Sequence, residues 1–142
     1  MPLRAQHIRT AFLDYYQGRG HTVIPRSGLV AEEDGTTLFT GSGMQPLMPY
    51  LLGEPHPSGL RLANCQPAVR AQDMVEVGDN RHTSFFEMLG NWSLGDYFKE
   101  QQIRWFFDFL TRIVGLDPHR LYVTVFGGDV SARVPRDEEA AQ

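Results

Sequence analysis

The stretch from Arg70 to Asn91 gathers most of the polar chemistry of this chain. Arg70, Gln72, Asp73, Glu76, Asp79, Asn80, Arg81 and His82 run directly into Phe85-Phe86-Glu87-Met88-Leu89-Gly90-Asn91. An arginine at the end of a strand can fork onto a phosphate with two parallel hydrogen bonds, and an aromatic ring on the facing strand offers a flat surface to a base. A nucleoside triphosphate requires both of a sheet. The competing reading of the same residues is an ordinary solvated charged loop over a core aromatic. Residue types alone leave both open.

Other chemistries find no support in the spacing. His7, His21, His56, His82 and His119 are scattered with no i,i+4 pair, and Cys65 is the single cysteine, so no metal constellation of ordinary spacing exists. Gly-x-Ser-x-Gly, Gly-x-Gly-x-x-Gly and the Walker-type Gly-Lys-Ser are all absent from the sequence.

The elements that must position the polar loop follow from periodicity. Leu60 to Val69 and His82 to Leu89 read as two strands of a long hairpin, with Gly78-Asp79-Asn80 as a turn between them. Before them, Ile8, Ala11, Phe12, Tyr15 and Tyr16 mark an amphipathic helix over Leu3 to Tyr16, stopped by Gly18 and Gly20. His21 to Pro25 is a short β-prone piece, and Ala31 to Gly35 a polar turn. Thr36 to Thr40 reads as a strand ended by Gly41-Ser42-Gly43. Met44 to Leu52 reads as a short helix broken by Pro46 and Pro49.

After the hairpin, Tyr97 to Val114 reads as a helix with Ile103, Phe106, Phe107, Leu110 and Ile113 on one face and Gly115 as its stop. Leu121 to Phe126 carries the strongest single strand signal. The tail from Pro135 to Gln142 begins like a helix, and fewer than two turns follow; isolated helices below about 12 to 15 residues are marginal, so a fragment is expected.

At 142 residues the chain is expected to form one domain. Hydrophobic residues at 42% and charged residues at 21% exclude disorder and the disulfide-stapled miniproteins. The net charge of −4 excludes indiscriminate nucleic-acid binding through the global field, leaving a local basic patch as the route to such a partner. One cysteine and no apolar leader point to a cytoplasmic protein with no membrane span.

Three runs resemble a known family. Ile8 to Tyr16 with Gly20-His21, Leu38-Phe39-Thr40-Gly41-Ser42-Gly43-Met44, and the long run His82 to Lys99 (HTSFFEMLGNWSLGDYFK) closely resemble the amino-terminal catalytic domain of the alanyl-tRNA synthetase family. The resemblance extends from about Ile8 to Ala141 in order.

What it implies is specific. The fold would be α+β, an antiparallel β-sheet flanked by helices, of the class II aminoacyl-tRNA synthetase type and incomplete here. Arg70 through Glu87 matches the family's second signature motif, a strand, a loop and a strand. By that match Arg70 would contact the α-phosphate of ATP and the amino-acid carboxylate, and Phe86 would stack on adenine. Met44 would line the nucleotide pocket, while Asp73, Glu76, Arg81 and Glu87 would bind or position ATP, Mg²⁺ or neighbouring loop groups. The implied reaction is activation of L-alanine to alanyl-adenylate, then transfer to the 3′ end of the alanine tRNA. Attack of a carboxylate on an α-phosphate needs positive charge and in-line placement rather than a side-chain nucleophile, which suits arginine.

The sequence also departs from the family. Ala71-Gln72-Asp73 follows Arg70 where many members carry a longer Gly-Gly-Lys-His-Asn stretch, so that lysine's contacts are not carried over. The family's Gln-x-Cys-x-Arg stands as Gln66-Pro67-Ala68-Val69-Arg70. The third motif is not found before Gln142, and Gly127-Gly128-Asp129 does not match it. The expectation is therefore an amino-terminal piece of the catalytic domain, inactive alone, with zinc confined to an editing domain not included. Two other expectations stand beside it: a non-catalytic remnant or split subunit that binds ATP or a protein partner and needs a second chain or the carboxy-terminal region to act, and a relative that charges a carrier protein.

Overall fold

The computed structural model describes residues 4–31 and 37–142, apart from the side chain of Gln72. Most of the expected turn Ala31 to Gly35, and the first residue of the expected strand Thr36 to Thr40, fall outside these residues. The chain divides into two compact units, one ending at Leu94 and one beginning at Gly95.

The first unit opens with α1, Ala5–Gln17. Its three- and four-residue spacing buries Phe12, Tyr15 and Tyr16 on one stripe, with the Phe12 and His21 rings 4.7 and 5.0 Å from the Tyr16 ring. His21 is a satisfied core histidine whose Nδ1 lies 3.0 Å from the Tyr16 carbonyl. Gly20 turns the chain at φ +81°, a conformation that a side chain would strain, and delivers it to β1, Thr22–Val23.

The 3₁₀ turn Gln45–Leu47 and the short helix α2, Met48–Leu51, lie where Pro46 and Pro49 occupy opening positions of their turns. The hairpin arms are β2, Arg61–Val69, and β3, Phe85–Ser93. They pair antiparallel without interruption from Arg61 opposite Ser93 to Val69 opposite Phe85. β1 pairs with β2 in parallel, Thr22 opposite Leu62 and Val23 opposite Ala63. The sheet order is β1-β2-β3, so the expected antiparallel sheet is a mixed one. A long connection separates β1 from β2, and only a tight hairpin forces antiparallel pairing. Ile24, Leu47 and Leu62 form a core cluster against which Tyr50, Trp92 and Leu94 pack.

Two other expectations in this unit change. The described residues of the expected strand, Thr37 to Thr40, give a single antiparallel bridge, Val30 with Phe39, in place of a strand. The second hairpin arm begins at Phe85 rather than His82, because the Asp79 carboxylate takes the backbone N–H groups of Arg81 and His82 at 2.8 and 2.7 Å. Donors bound to a side chain are withdrawn from the ladder.

In the second unit α3, Lys99–Asp108, runs into a π turn, Phe109–Ile113, closed by Val114 N–H on the Phe109 carbonyl at 2.9 Å. The extra residue shifts the register of faces. Phe109 is buried, while Ile103, Phe106, Phe107 and Ile113 of the expected face are exposed. The final helix α4, Glu138–Ala141, is capped by Asp137, which accepts from Ala140 N–H at 3.1 Å and pairs with Lys99 Nζ at 2.7 Å. Leu121 to Phe126 forms no strand; Tyr122 is 94% exposed. Strand propensity is a preference for a half-buried pleated surface, and no described strand offers one to this segment.

Candidate active site

Arg70 is the first residue beyond β2, and three contacts fix it. Its backbone N–H donates to the Ser84 carbonyl at 2.9 Å, extending the hairpin by one step. Its Nε donates to the Gly41 carbonyl at 3.1 Å. Its guanidinium carbon lies 5.1 Å from the centre of the Phe86 ring. Ala68 is opposite Phe86, so strand alternation puts Ala68, Arg70 and Phe86 on one face with Gln66, Met88, Gly90 and Trp92.

Elsewhere in the molecule Arg19 lies directly on the Tyr15 ring, at 3.3 Å. The wider spacing at Arg70 keeps it within cation–π reach of Phe86 without covering the ring in the same way. With Nε committed to Gly41, both terminal nitrogens of Arg70 are without a hydrogen-bond partner among the described residues. The arrangement is a pre-aimed two-pronged cation beside a partly exposed aromatic ring, which suits a phosphate and a base.

The segment carrying Gly41 and Met44 is held against the end of β2. The Thr40 carbonyl accepts from Val69 N–H at 2.9 Å, and Gly43 N–H meets Met88 Sδ at 3.2 Å. A Cβ added at Gly43 would stand 3.2 Å from Trp92 Cζ2 and 3.4 Å from Met88 Sδ, so any larger residue here would press on both side chains. Met44 follows at once and is exposed.

The loop residues have other partners. His82 stands between Asp79 and Glu76, Nδ1 to Oδ2 at 2.7 Å and Nε2 to Oε2 at 2.9 Å. The backbone N–H groups of His82 and Arg81, aided by the His82 ring, hold the Asp79 carboxyl below the usual carboxylate range. The side chain of Arg81 is exposed, and Asp73 N–H closes the first loop turn onto the Arg70 carbonyl at 3.2 Å. Asp73 is the expected loop carboxylate without an ion pair among the described residues.

Glu87 is the residue the structure sets apart. Alternation turns it to the face opposite Phe86, where it pairs with Arg9 of α1. The hydrogen bond from Arg9 holds the Glu87 carboxyl below its ordinary range, and burial pushes the neighbouring Cys65 thiol up. These groups border a hollow of about 430 Å³ with Leu13, Val23 and Arg26. In the hollow Arg9 is already engaged by a carboxylate, while Arg26 has no ion pair among the described residues.

Arg70, Phe86 and the segment leading to Met44 are thus brought together; Glu76 is tied to His82, and Glu87 lies behind the sheet. Sequence reasoning missed Gly41, Ser84 and Gln45, whose contribution runs through backbone groups or a single carboxamide. The Gly41-Ser42-Gly43 run was the available signal, since two glycines beside a strand permit close backbone approach.

Comparison with known proteins adds an independent result. The pattern of the family described as tRNA synthetases class II (A) matches residues 7–140. The alanine–tRNA ligase of Treponema pallidum is 54% identical over 143 residues, 99% of this chain and 23% of that protein. That of Treponema denticola is 50% identical over 136 residues, 94% of this chain and 22% of the relative. That of Rubrobacter xylanophilus is 46% identical over 138 residues, 97% of this chain and 15% of the relative. The chain therefore spans less than a quarter of the length of these relatives. With almost all of its residues inside the family match, the chain belongs to the class II (A) tRNA synthetases.

Proposed function

We propose that this chain carries the ATP-binding part of an alanine-activating site, in a protein that forms alanyl-adenylate and transfers alanine to the 3′ end of its tRNA. The observation that carries the reading is the placement of Arg70, anchored through Nε to Gly41 and standing 5.1 Å from the Phe86 ring. Relatives named alanine–tRNA ligase at about half identity support the choice of amino acid.

In this reading the terminal nitrogens of Arg70 take an α-phosphate oxygen and the alanine carboxylate, bringing nucleophile and electrophile together and offsetting the charge that grows on phosphorus-bound oxygen. Phe86 receives the adenine on its open face, and Met44 borders the nucleotide. No group on the protein needs to attack, because the substrate carboxylate is the nucleophile; as its bond to the α-phosphorus forms, the bond from that phosphorus to the α–β bridging oxygen breaks and pyrophosphate leaves. Of the loop carboxylates proposed for Mg²⁺, Asp73 would be the one with oxygens to offer a triphosphate-bound ion, since Glu76 is engaged with His82, and the ion would offset phosphate charge. Arg81 would approach the phosphates from the loop. Glu87 would act on Phe86 only through the strand they share.

No described helix is long and apolar enough to cross a membrane. A cytoplasmic setting, with its ATP and tRNA, fits the proposed chemistry. The test is titration of Mg·ATP into the chain and its Arg70→Ala variant: weaker binding by the variant supports the reading, and equal binding overturns it.

A further inference from the structure

Arg70 can aim two nitrogens forward only if its third is fixed, and the group that fixes it is a backbone carbonyl in a turn. The Gly41 peptide needs an anchor of its own. Gln45 supplies it: its Oε1 accepts from Gly41 N–H at 2.8 Å, and its Nε2 donates to Thr37 Oγ1 at 2.7 Å. The orientation of the carboxamide is fixed by chemistry, since a backbone N–H can only donate and so faces the oxygen. The turn is tightened further where Gln45 N–H approaches Ser42 Oγ at 3.3 Å. Thr37 is held in turn by its hydroxyl on the Phe39 carbonyl at 3.1 Å.

We infer that Gln45 is a positioning residue for Arg70, acting through Gly41 to set the direction of the guanidinium that meets the phosphate. The chain of contacts is Thr37, Gln45, Gly41, Arg70, each link a hydrogen bond. Both polar groups of the Gly41 peptide unit are engaged: its N–H serves Gln45 and its carbonyl serves Arg70. Loss of the Gln45 oxygen would free that peptide to rotate, and the Nε anchor would be lost with it. The inference rests on the nucleotide reading of Arg70 given above.

The test is equilibrium titration of Mg·ATP into the full chain carrying Gln45→Met, Gln45→Glu or Thr37→Val, each alone and with Arg70→Ala. Gln45→Met keeps the length and volume of the side chain but not its oxygen. It should weaken ATP about tenfold, the scale of coupling within one hydrogen-bond network. Gln45→Glu keeps an acceptor for Gly41 N–H and should stay within about threefold of wild type, while Thr37→Val should lose about threefold. With Arg70→Ala present none of these losses should remain, because the route runs through Arg70.

Wild-type affinity for Gln45→Met, an equal loss for Gln45→Glu, or a loss that persists with Arg70→Ala would overturn the inference. If Gln45→Met does not fold, Thr37→Val carries the same test, with wild-type affinity overturning it. Strong ATP binding that Arg70→Ala abolishes and Gln45→Met leaves intact defeats only this inference. Absence of ATP binding by the wild type defeats the nucleotide reading as well.

Discussion

Glu87 and Phe86 are neighbours in β3 that face opposite sides of the sheet, one toward Arg9 of α1 and the other toward Arg70. Alternation in a strand makes this unavoidable, since successive side chains leave opposite faces. A motif that reads as one run therefore divides into a half on the Arg70 face and a half that ties the strand to its helix. The two halves have different consequences when altered.

Replacing Glu87 by glutamine should leave ATP affinity within about threefold of wild type, since a partly exposed ion pair behind the sheet is worth little. The pH response is the sharper readout. Arg9 depresses the Glu87 carboxyl, so its contribution to stability is present above the unfolded carboxylate pKa and is lost as pH falls through the lower folded value. Thermal unfolding followed downward through the acidic range should show a shallower loss in Glu87→Gln than in wild type.

Phe86→Leu keeps most of the apolar volume and removes the flat ring. Stability should fall by less than about 1.5 kcal/mol, while ATP affinity falls by more than stability does. Urea melts beside ATP titration separate the two. A variant that unfolds with unchanged affinity in its remaining folded fraction would mark Phe86 as a core residue only.

Gly90→Ala should be destabilising through the Trp92 indole, which the Gly43 segment also abuts. The added Cβ would lie 2.6 Å from Trp92 Cζ2 and 2.9 Å from Trp92 Nε1, so the indole bonded to Asn64 Oδ1 at 3.3 Å has to move. Overpacking of this kind costs about 1 to 3 kcal/mol. A urea midpoint equal to wild type would show that the indole relocates freely.

The Arg81 and His82 amides should lose protection as Asp79 is protonated. The depressed Asp79 carboxyl contributes above its unfolded pKa and ceases to as pH falls through the folded value. Amide exchange, corrected for its intrinsic pH dependence, should rise at these two positions on acidification and already be raised at neutral pH in Asp79→Ala. Unchanged protection in that variant would remove Asp79 as the organiser of the loop.

Much of the site was legible because it lies on a hairpin. The two arms and the loop between them are readable from residue types, while the register that sets Phe86 opposite Ala68 is seen only in the structure. The parallel direction of β1 was not legible, since nothing in Thr22-Val23 specifies how a long connection returns. Nor was the exposure of the α3 face: Ile103, Phe106 and Phe107 keep helical spacing yet stay open, and the one buried residue of this stretch, Phe109, lies in the π turn that follows α3. Leu121 to Phe126 has strand-forming residues, yet propensity acts only where a neighbouring strand is present. For the Gly41 and Gln45 contacts the glycine run was the one hint, because backbone carbonyls and single carboxamides leave no periodic trace.

The central claim is that the Arg70 guanidinium binds the phosphate of ATP, and the direct measurement is calorimetric titration of Mg·ATP into the wild type and Arg70→Ala, with folding of both checked beforehand. A hydrogen bond to a charged group contributes about 1.5 to 3 kcal/mol, so the variant should bind about ten- to a hundredfold more weakly. Equal affinities in two folded proteins would contradict the account.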